Sequence, residues 1–283
     1  MKILTSSRRF NKFCNRFFTY LFLGVLSLII LYPLLITAQT AFNGSNLTAF
    51  ALDFHMKWTL ENFHQLFTQT LYLTWFKNTV IIALLTMIIQ VTIVTLAGYT
   101  YSRYRFIGRK NGLIFFLIIQ MVPTMAALTA FFVLGLIING LDQYWYLTLV
   151  YVGGGIPMNT WLMKGYFDTI PRDLDESARI DGAGHLRILC QINLPLAMPM
   201  IAVQALWAFM GPFGDFLLAA FLLRSQQNLT VAVGLQQFIS NPTSQNVALF
   251  AAGSVLISVP IVLLFFFLQR YFQSGLTAGG TKG

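Results

Sequence analysis

Acidic residues are scarce in this chain: nine Asp and Glu among 283 residues, against eighteen Lys and Arg. Charged residues together make up 10% and hydrophobic residues 57%, whereas an ordinary soluble domain carries roughly 25% charge. A surface so poor in charge excludes a soluble enzyme. Cysteine is nearly absent too. Cys14 and Cys190 are the only two, which excludes a disulfide framework and a thiolate metal site. The three histidines, His55, His64 and His185, are scattered and form no ligand cluster. No G-x-x-x-x-G-K-S/T run is present, so the chain has no phosphate-binding loop for ATP. The net charge of +9 does not point to nucleic acid, because a chain this apolar would not stay dissolved to meet one. The excess cation is expected to report membrane orientation instead.

Charge is costly in hydrocarbon, so uncharged gaps mark where a helix of about 20 residues can cross. Six gaps are long enough. Trimmed by hydropathy and flanking aromatics, they give spans near 17–40, 77–101, 112–138, 144–166, 196–222 and 247–270. The expected fold class is an all-α membrane protein with six transmembrane helices in contact with lipid. The run from Phe17 to Ala38 is 22 residues, longer than the about 7–15 residues of a signal-peptide core, so the first span reads as a retained helix. An even number of crossings leaves both ends on one side, and fifteen of the eighteen cations then fall on that side. They are five before the first span, then Arg103, Arg105, Arg109 and Lys110, then Lys164, Arg172, Arg179 and Arg187, and finally Arg270 and Lys282. Only Lys57, Lys77 and Arg224 remain opposite. The positive-inside rule therefore predicts cytoplasmic termini. Pro33, Pro123, Pro260, the run Gly153 to Pro157 and the run Gly211 to Gly214 interrupt several spans. Irregular backbone at membrane depth survives only where protein or water satisfies it, which suggests a bundle around a pathway.

The stretch from Asp168 to Pro195, between the fourth and fifth spans, carries the most information. Pro171 suits a first helical position, and Asp173, Asp175 and Glu176 sit where the helix dipole favours acids. Gly182 permits a sharp turn. Leu186, Leu189 and Cys190 then share one apolar face of a second short helix, which Pro195 is expected to end as the next span begins. Glu176-Ser177-Ala178, Asp181-Gly182-Ala183, Ile192, Leu194 and Pro195 fall at the spacing E-A-A-x2-D-G-A-x5-F-x2-I-x-L-P. This resembles the EAA loop of permease subunits in bacterial ATP-binding cassette importers, with Ser177 in place of the middle Ala and Leu189 in place of the aromatic. Residues 229–238 and 275–283 look like the second permease of maltose and maltodextrin importers.

The resemblance implies the type I importer permease fold in a bacterial cell membrane. It implies an N-terminal portion 1–76, a core permease portion 77–272 with the coupling loop at 168–195, and a cytoplasmic tail 273–283. The implied partners are a second permease, two ATPase subunits, an external solute-binding protein and an oligosaccharide of maltodextrin type. In that family the loop docks in a cleft of the ATPase, so Glu176, Ser177, Ala178, Asp181, Gly182, Ala183, Leu186, Leu189 and Ile192 are the expected docking residues. ATP and Mg then belong to the ATPase subunits, and this chain is expected to bind no cofactor or metal and to catalyse nothing. Asp215 is the acid placed inside a span, so it either serves the pathway or meets water at the outer surface. Trp207 and Phe213 flank the same break and are candidate stacking partners for sugar. Gln90, Gln120, Asn159 and Gln204 either line a sugar route or join helix to helix. The uncharged outer loop Ser240, Asn241, Pro242, Thr243, Ser244, Gln245 is expected to meet the binding protein. A rival reading, a sugar transporter driven by an ion gradient, would have to use Asp215 as its coupling site.

Overall fold

A computed structural model describes residues 2–44, 49, 50, 52, 55–240 and 245–280, with backbone alone for residues 2–15, 124 and 272–280. The described residues form twelve α-helices and one π-helical turn. They divide into two compact units, residues 1–69 with 238–255 and residues 70–237 with 256–283.

In the first unit, α1 (Lys2–Ala41) contains the apolar stretch Arg16–Ala41, no part of whose most apolar window is buried. A helix hydrophobic all round with nothing covering it needs lipid as its partner. Pro33 sits inside it without ending it. Beyond α1, Asn62 on α2 (Glu61–Gln69) donates to the carbonyls of Ala41 and Asn43 at 3.0 and 2.8 Å, and Phe63 packs against Phe42. The spacer expected between the first two spans therefore contains a helix of its own.

The second unit is built around α3 (Tyr72–Arg103), which packs along α6 (Tyr144–Thr169) and α9 (Leu194–Gly214). Close approach depends on missing side chains: a Cβ on Gly98 would lie 2.7 Å from Met163, and one on Gly155 would lie 2.3 Å from the Gln90 amide oxygen. Val94, Tyr99, Met163, Phe167, Leu189 and Ala197 form the buried cluster where the three helices meet.

Among the described residues four helices are long and apolar enough to cross a membrane, or five if one sharply bent pair counts as a span. That pair is α4 (Arg109–Gln120) and α5 (Thr124–Ile137), expected as one helix over 112–138 but bent by 100°. Pro123 forces the residue before it out of the helical region and removes a helix donor, so the break falls there. By contrast α6 runs unbroken through Gly153–Gly155 and Pro157. It is 26 residues long but not apolar enough by composition, for it carries Thr148, Tyr151, Asn159 and Thr160 and packs along α3 and α9.

The fifth span also departs from expectation, at both ends. Pro195 does not stop a helix: α8 (His185–Ile188), a π-helical turn (Leu189–Asn193) and α9 read as one 30-residue element, His185–Gly214. Widening to i→i+5 bonding relieves the clash of the Pro195 ring with the carbonyl four residues back. At the other end the helix stops at Gly214, and α10 (Leu217–Leu222) is separate. The Asp215 carboxylate accepts from the Ala219 N–H at 3.0 Å and so caps the new helix.

The start of α3 anchors the segment after α10. Trp75 Nε1 donates to the Gln226 carbonyl at 2.7 Å, Asn78 Nδ2 to those of Gln227 and Leu229 at 2.7 and 3.0 Å, and the Val231 N–H to Thr79 Oγ1 at 2.8 Å. Asp142, in left-handed backbone at φ 62°, accepts from the N–H groups of Arg224 and Ser225 and from the Ser225 hydroxyl. Partial burial alone would raise its carboxyl, but these donors outweigh burial and hold it below the usual carboxylate value. Along α11 (Val231–Ser240), a Cβ on Gly234 would lie 2.1 Å from the Trp75 ring. Gly234→Ala is therefore expected to destabilise the purified protein by about 1–3 kcal/mol, read as an earlier thermal unfolding transition in detergent. An unchanged transition would mean that Trp75 does not hold α11 in this way.

Candidate coupling site

α7 (Asp173–Ile180) ends as the sequence requires. Gly182 has φ +80°, a conformation that costs a residue with a Cβ. Its N–H donates to the Arg179 carbonyl at 3.0 Å, while the Ala183 N–H reaches back to Ala178 at 2.9 Å. Those paired bonds are a Schellman closure, which uses the last carbonyls of α7 and turns the chain sharply into α8.

What fixes α7 to the bundle is a buried ion pair. Arg103, the last residue of α3, places Nε 2.8 Å from Asp175 Oδ2, with the two side chains 3% and 6% exposed. One guanidinium nitrogen, Nη2, also donates to the Ile170 carbonyl at 3.0 Å and to Asn193 Oδ1 at 3.1 Å. Asn193 in the π turn completes the circuit, its Nδ2 donating to Asp175 Oδ1 at 2.7 Å. Nearby, Asp168 accepts from Ser102 Oγ at 2.7 Å and pairs with Lys164 at 2.5 Å. Burial would raise the Asp168 carboxyl, yet the Lys164 and Ser102 donors hold it below the usual range. Its stabilising effect is thus complete above about pH 3.9, the unfolded value, and is lost as pH falls through the lower folded one.

Around this anchor the loop presents a surface. Glu176, Ser177, Asp181 and Leu186 are exposed, and Ala178, Ala183 and Ile192 are partly so. Leu186 is 78% exposed and the neighbouring Ile180 88%, a large apolar display beside a charged loop. A concavity of about 210 Å³ is lined by Ala178, Asp181, Ala183, Arg187, Gln191 and Ile192. Small residues at 178 and 183 leave it open. Leu189 is the exception among the expected docking residues. It is 5% exposed and belongs to the buried cluster.

The family description for the inner membrane component of binding-protein-dependent transport systems matches residues 94–278, a stretch that contains α7, the Gly182 turn and the helices they are fixed to. This chain belongs to that family. It is 68% identical over 279 residues to the maltodextrin transport system permease protein MdxG of Bacillus subtilis, covering 99% of each chain. It is 59% identical over 280 residues to the maltodextrin transport system permease protein MalD of Streptococcus pneumoniae, covering 99% of this chain and all of that one. In fold it resembles a chain of a bacterial ABC transporter involved in the import of the acidic polysaccharide alginate, with TM-score 0.75, 22% identity and coverage of 90% and 95%. The chain is thus a permease subunit of an ABC importer, a multi-pass inner-membrane component and not an enzyme, with ATP hydrolysed by separate subunits.

For a permease, the remaining expected residues divide by burial. Trp207 is 56% exposed, whereas Phe213 is 3% exposed and packed between Phe76 and Phe209. Asp215 accepts from the Tyr151 hydroxyl at 2.7 Å as well as capping α10. Of the outer loop, Ser240 and Gln245 are described, and Asn241, Pro242, Thr243 and Ser244 lie outside the described residues. Sequence reasoning placed Asp175 in the first turn of α7, where it lies, but missed its partners Arg103 and Asn193. Arg103 counted only as a topogenic charge and Asp175 as a partner of the helix dipole. The available signal was Asn193, a lone amide between Ile192 and Leu194 at the entrance to an apolar helix.

Removing one partner from the buried pair should be costly. Asp175→Asn or Arg103→Met is expected to lower the stability of the purified permease by about 3–5 kcal/mol, whereas the double change Arg103→Met with Asp175→Leu costs far less. Thermal unfolding of the three variants checks this, and single variants as stable as the parent would remove the anchor from the account.

Proposed function

We propose that the chain is one of two permease subunits of an importer that carries maltodextrin-type oligosaccharides inward at the expense of ATP. The single observation that carries this reading is the exposed turn at Gly182, held on a buried anchor and bearing the docking pattern, in a chain so close over its whole length to two maltodextrin permeases. The implied partners are a second permease, two ATPase subunits that hold ATP and Mg, and an external solute-binding protein met by residues 240–245. Glu176, Ser177, Ala178, Asp181, Gly182, Ala183, Leu186 and Ile192 face the ATPase cleft. Closure of the ATPases on nucleotide moves α7, and the Arg103 anchor carries that motion into α3. The rival driven by an ion gradient has no support, since the Asp215 carboxylate already caps α10 and accepts from Tyr151.

In this reading the chain crosses six times, with α6 as the fourth span and both ends in the cytoplasm. Its polar side chains Thr148, Tyr151, Asn159 and Thr160 lie among protein neighbours, so modest hydropathy is no bar to crossing. The five spans over 77–272 act as the transport core, with residues 1–76 and 273–283 flanking it. Single cysteines at Gln69 and Asn111, in a background lacking Cys14 and Cys190, test the topology. An impermeant thiol reagent should label position 69 from outside intact cells and leave position 111 unlabelled, and labelling at 111 would reverse the assignment.

Docking is tested at the turn. Gly182→Val forces a β-branched residue into left-handed backbone, and Glu176→Lys reverses charge on the exposed face of α7. Both variants are expected to reach the membrane in parental amounts. Both should then either lose the ATPase subunits on purification or keep them without stimulation of ATP hydrolysis by loaded binding protein. Import at the parental rate with the ATPases bound would sink the docking assignment.

A further inference from the structure

We infer that the turn between α3 and α4 docks on anionic phospholipid of the surrounding bilayer, with Arg105 and Lys110 gripping the headgroup phosphate. This goes beyond the importer reading and needs only that the chain lies in a membrane.

The turn is tightly built. Gly108 has φ 87° and ψ −2°, and the Arg109 N–H donates to the Phe106 carbonyl at 3.3 Å. Phe106 to Arg109 is therefore a type II turn with Ile107 at its first corner. The Tyr101 ring, in the last turn of α3, packs on both Phe106 and Phe116, with centroids 5.2 and 5.9 Å away. Arg109 Nε donates back to the Tyr101 carbonyl at 2.7 Å. These contacts fix the turn to both helices and leave Ile107 wholly exposed, with Phe106 exposed beside it.

Cations at this end of α3 have two fates. Arg103 is in the buried pair, Lys164 pairs with Asp168, and Arg172 Nη2 donates to the Ser102 carbonyl at 2.9 Å. Arg109 is held by Tyr101, and its charge bears on Asp168. Arg105 and Lys110 are different. Both are exposed, and among the described residues neither has an ion pair or a hydrogen bond. The sequence from Asn62 to Leu141 contains no acid that could neutralise them.

Helix length sets the depth of the turn. Asn78 to Ser102 are 25 uncharged residues, about 37 Å of helix, against about 30 Å of hydrocarbon and 40–45 Å with the headgroups. The chain just beyond Ser102 therefore lies in the headgroup layer, where phosphate is the abundant anion. Two unpaired cations on either side of an exposed apolar corner are the composition of an interfacial anchor. An acidic protein surface would answer the charges, but the length of α3 puts lipid next to them.

The test uses the full-length permease with Asn111→Cys, in a background lacking Cys14 and Cys190, labelled with an environment-sensitive fluorophore. It is reconstituted into phosphatidylcholine nanodiscs containing increasing phosphatidylglycerol. Both leaflets carry the same lipid, so the result does not depend on which side the turn occupies. Emission should shift to the blue and saturate as phosphatidylglycerol rises, and high salt should weaken the response. Arg105→Gln and Lys110→Gln should each raise the half-saturating lipid fraction about fivefold, equivalent to about 1 kcal/mol per cation. Ile107→Gln should act in the same direction, whereas Lys77→Gln, near the opposite end of α3, should change nothing. Soluble glycerol phosphate should not reproduce the shift. Emission indifferent to phosphatidylglycerol overturns the inference, as does an equal effect of Lys77→Gln, parental behaviour of the turn variants, or a full response to glycerol phosphate. A shift produced by added ATPase subunits in phosphatidylcholine, and by no lipid, would assign the turn to a protein partner and overturn it too.

Discussion

A guanidinium and a carboxylate 2.8 Å apart, both nearly hidden from water, hold the end of α3 to the first turn of α7. Taking two charges out of water is costly, and their attraction recoups that cost only where further hydrogen bonds satisfy the remaining donors and acceptors. Here Ile170 and Asn193 accept from Nη2, and Asn193 donates to Asp175, while the buried Nη1 has no hydrogen-bond partner among the described residues. Four segments therefore meet at one point: the end of α3, the turn after α6, α7 and the π turn. The surface displayed by Glu176, Ile180 and Leu186 takes its orientation from that point, because α7 is only eight residues long and too short to hold a helix unaided.

The π turn serves the same junction. It admits Pro195 into a continuous element and holds Asn193 against Arg103, beside the buried Leu189. The coupling loop and the following span are thus one mechanical piece. A push on α7 meets a helix of 30 residues at one end and α3 at the other, with no slack connector between them.

Within the bundle, polar side chains have two fates. Asn78, Thr79 and Asp215 are consumed in fixing one segment to another, whereas Thr86 keeps an unpaired hydroxyl beside a cavity. The first group fixes the end of the bundle where α3 begins. Glycines at 98 and 155 bring α3 against α6 closely enough for the second group to share one space.

Much of this was legible in the chain itself. Charge spacing and hydropathy together locate the four long apolar helices, since a charge in hydrocarbon is costly wherever the helix is packed, and Gly182 reveals its turn because backbone sterics are local. The loop pattern from Glu176 to Pro195 reveals the family for the same reason. Tertiary structure decided which breakers break. Pro123 bends its span and Pro157 does not, a difference that depends on neighbours able to support the helix. It also decided that Leu189 is buried, that α6 packs along α3 and α9, and that Arg103 meets Asp175. Those two residues are 72 positions apart in sequence, and only the packing of α3 against α6 and α9 brings them within reach. Periodicity and composition describe what a residue prefers; a buried pair depends on which residue another helix sets opposite it.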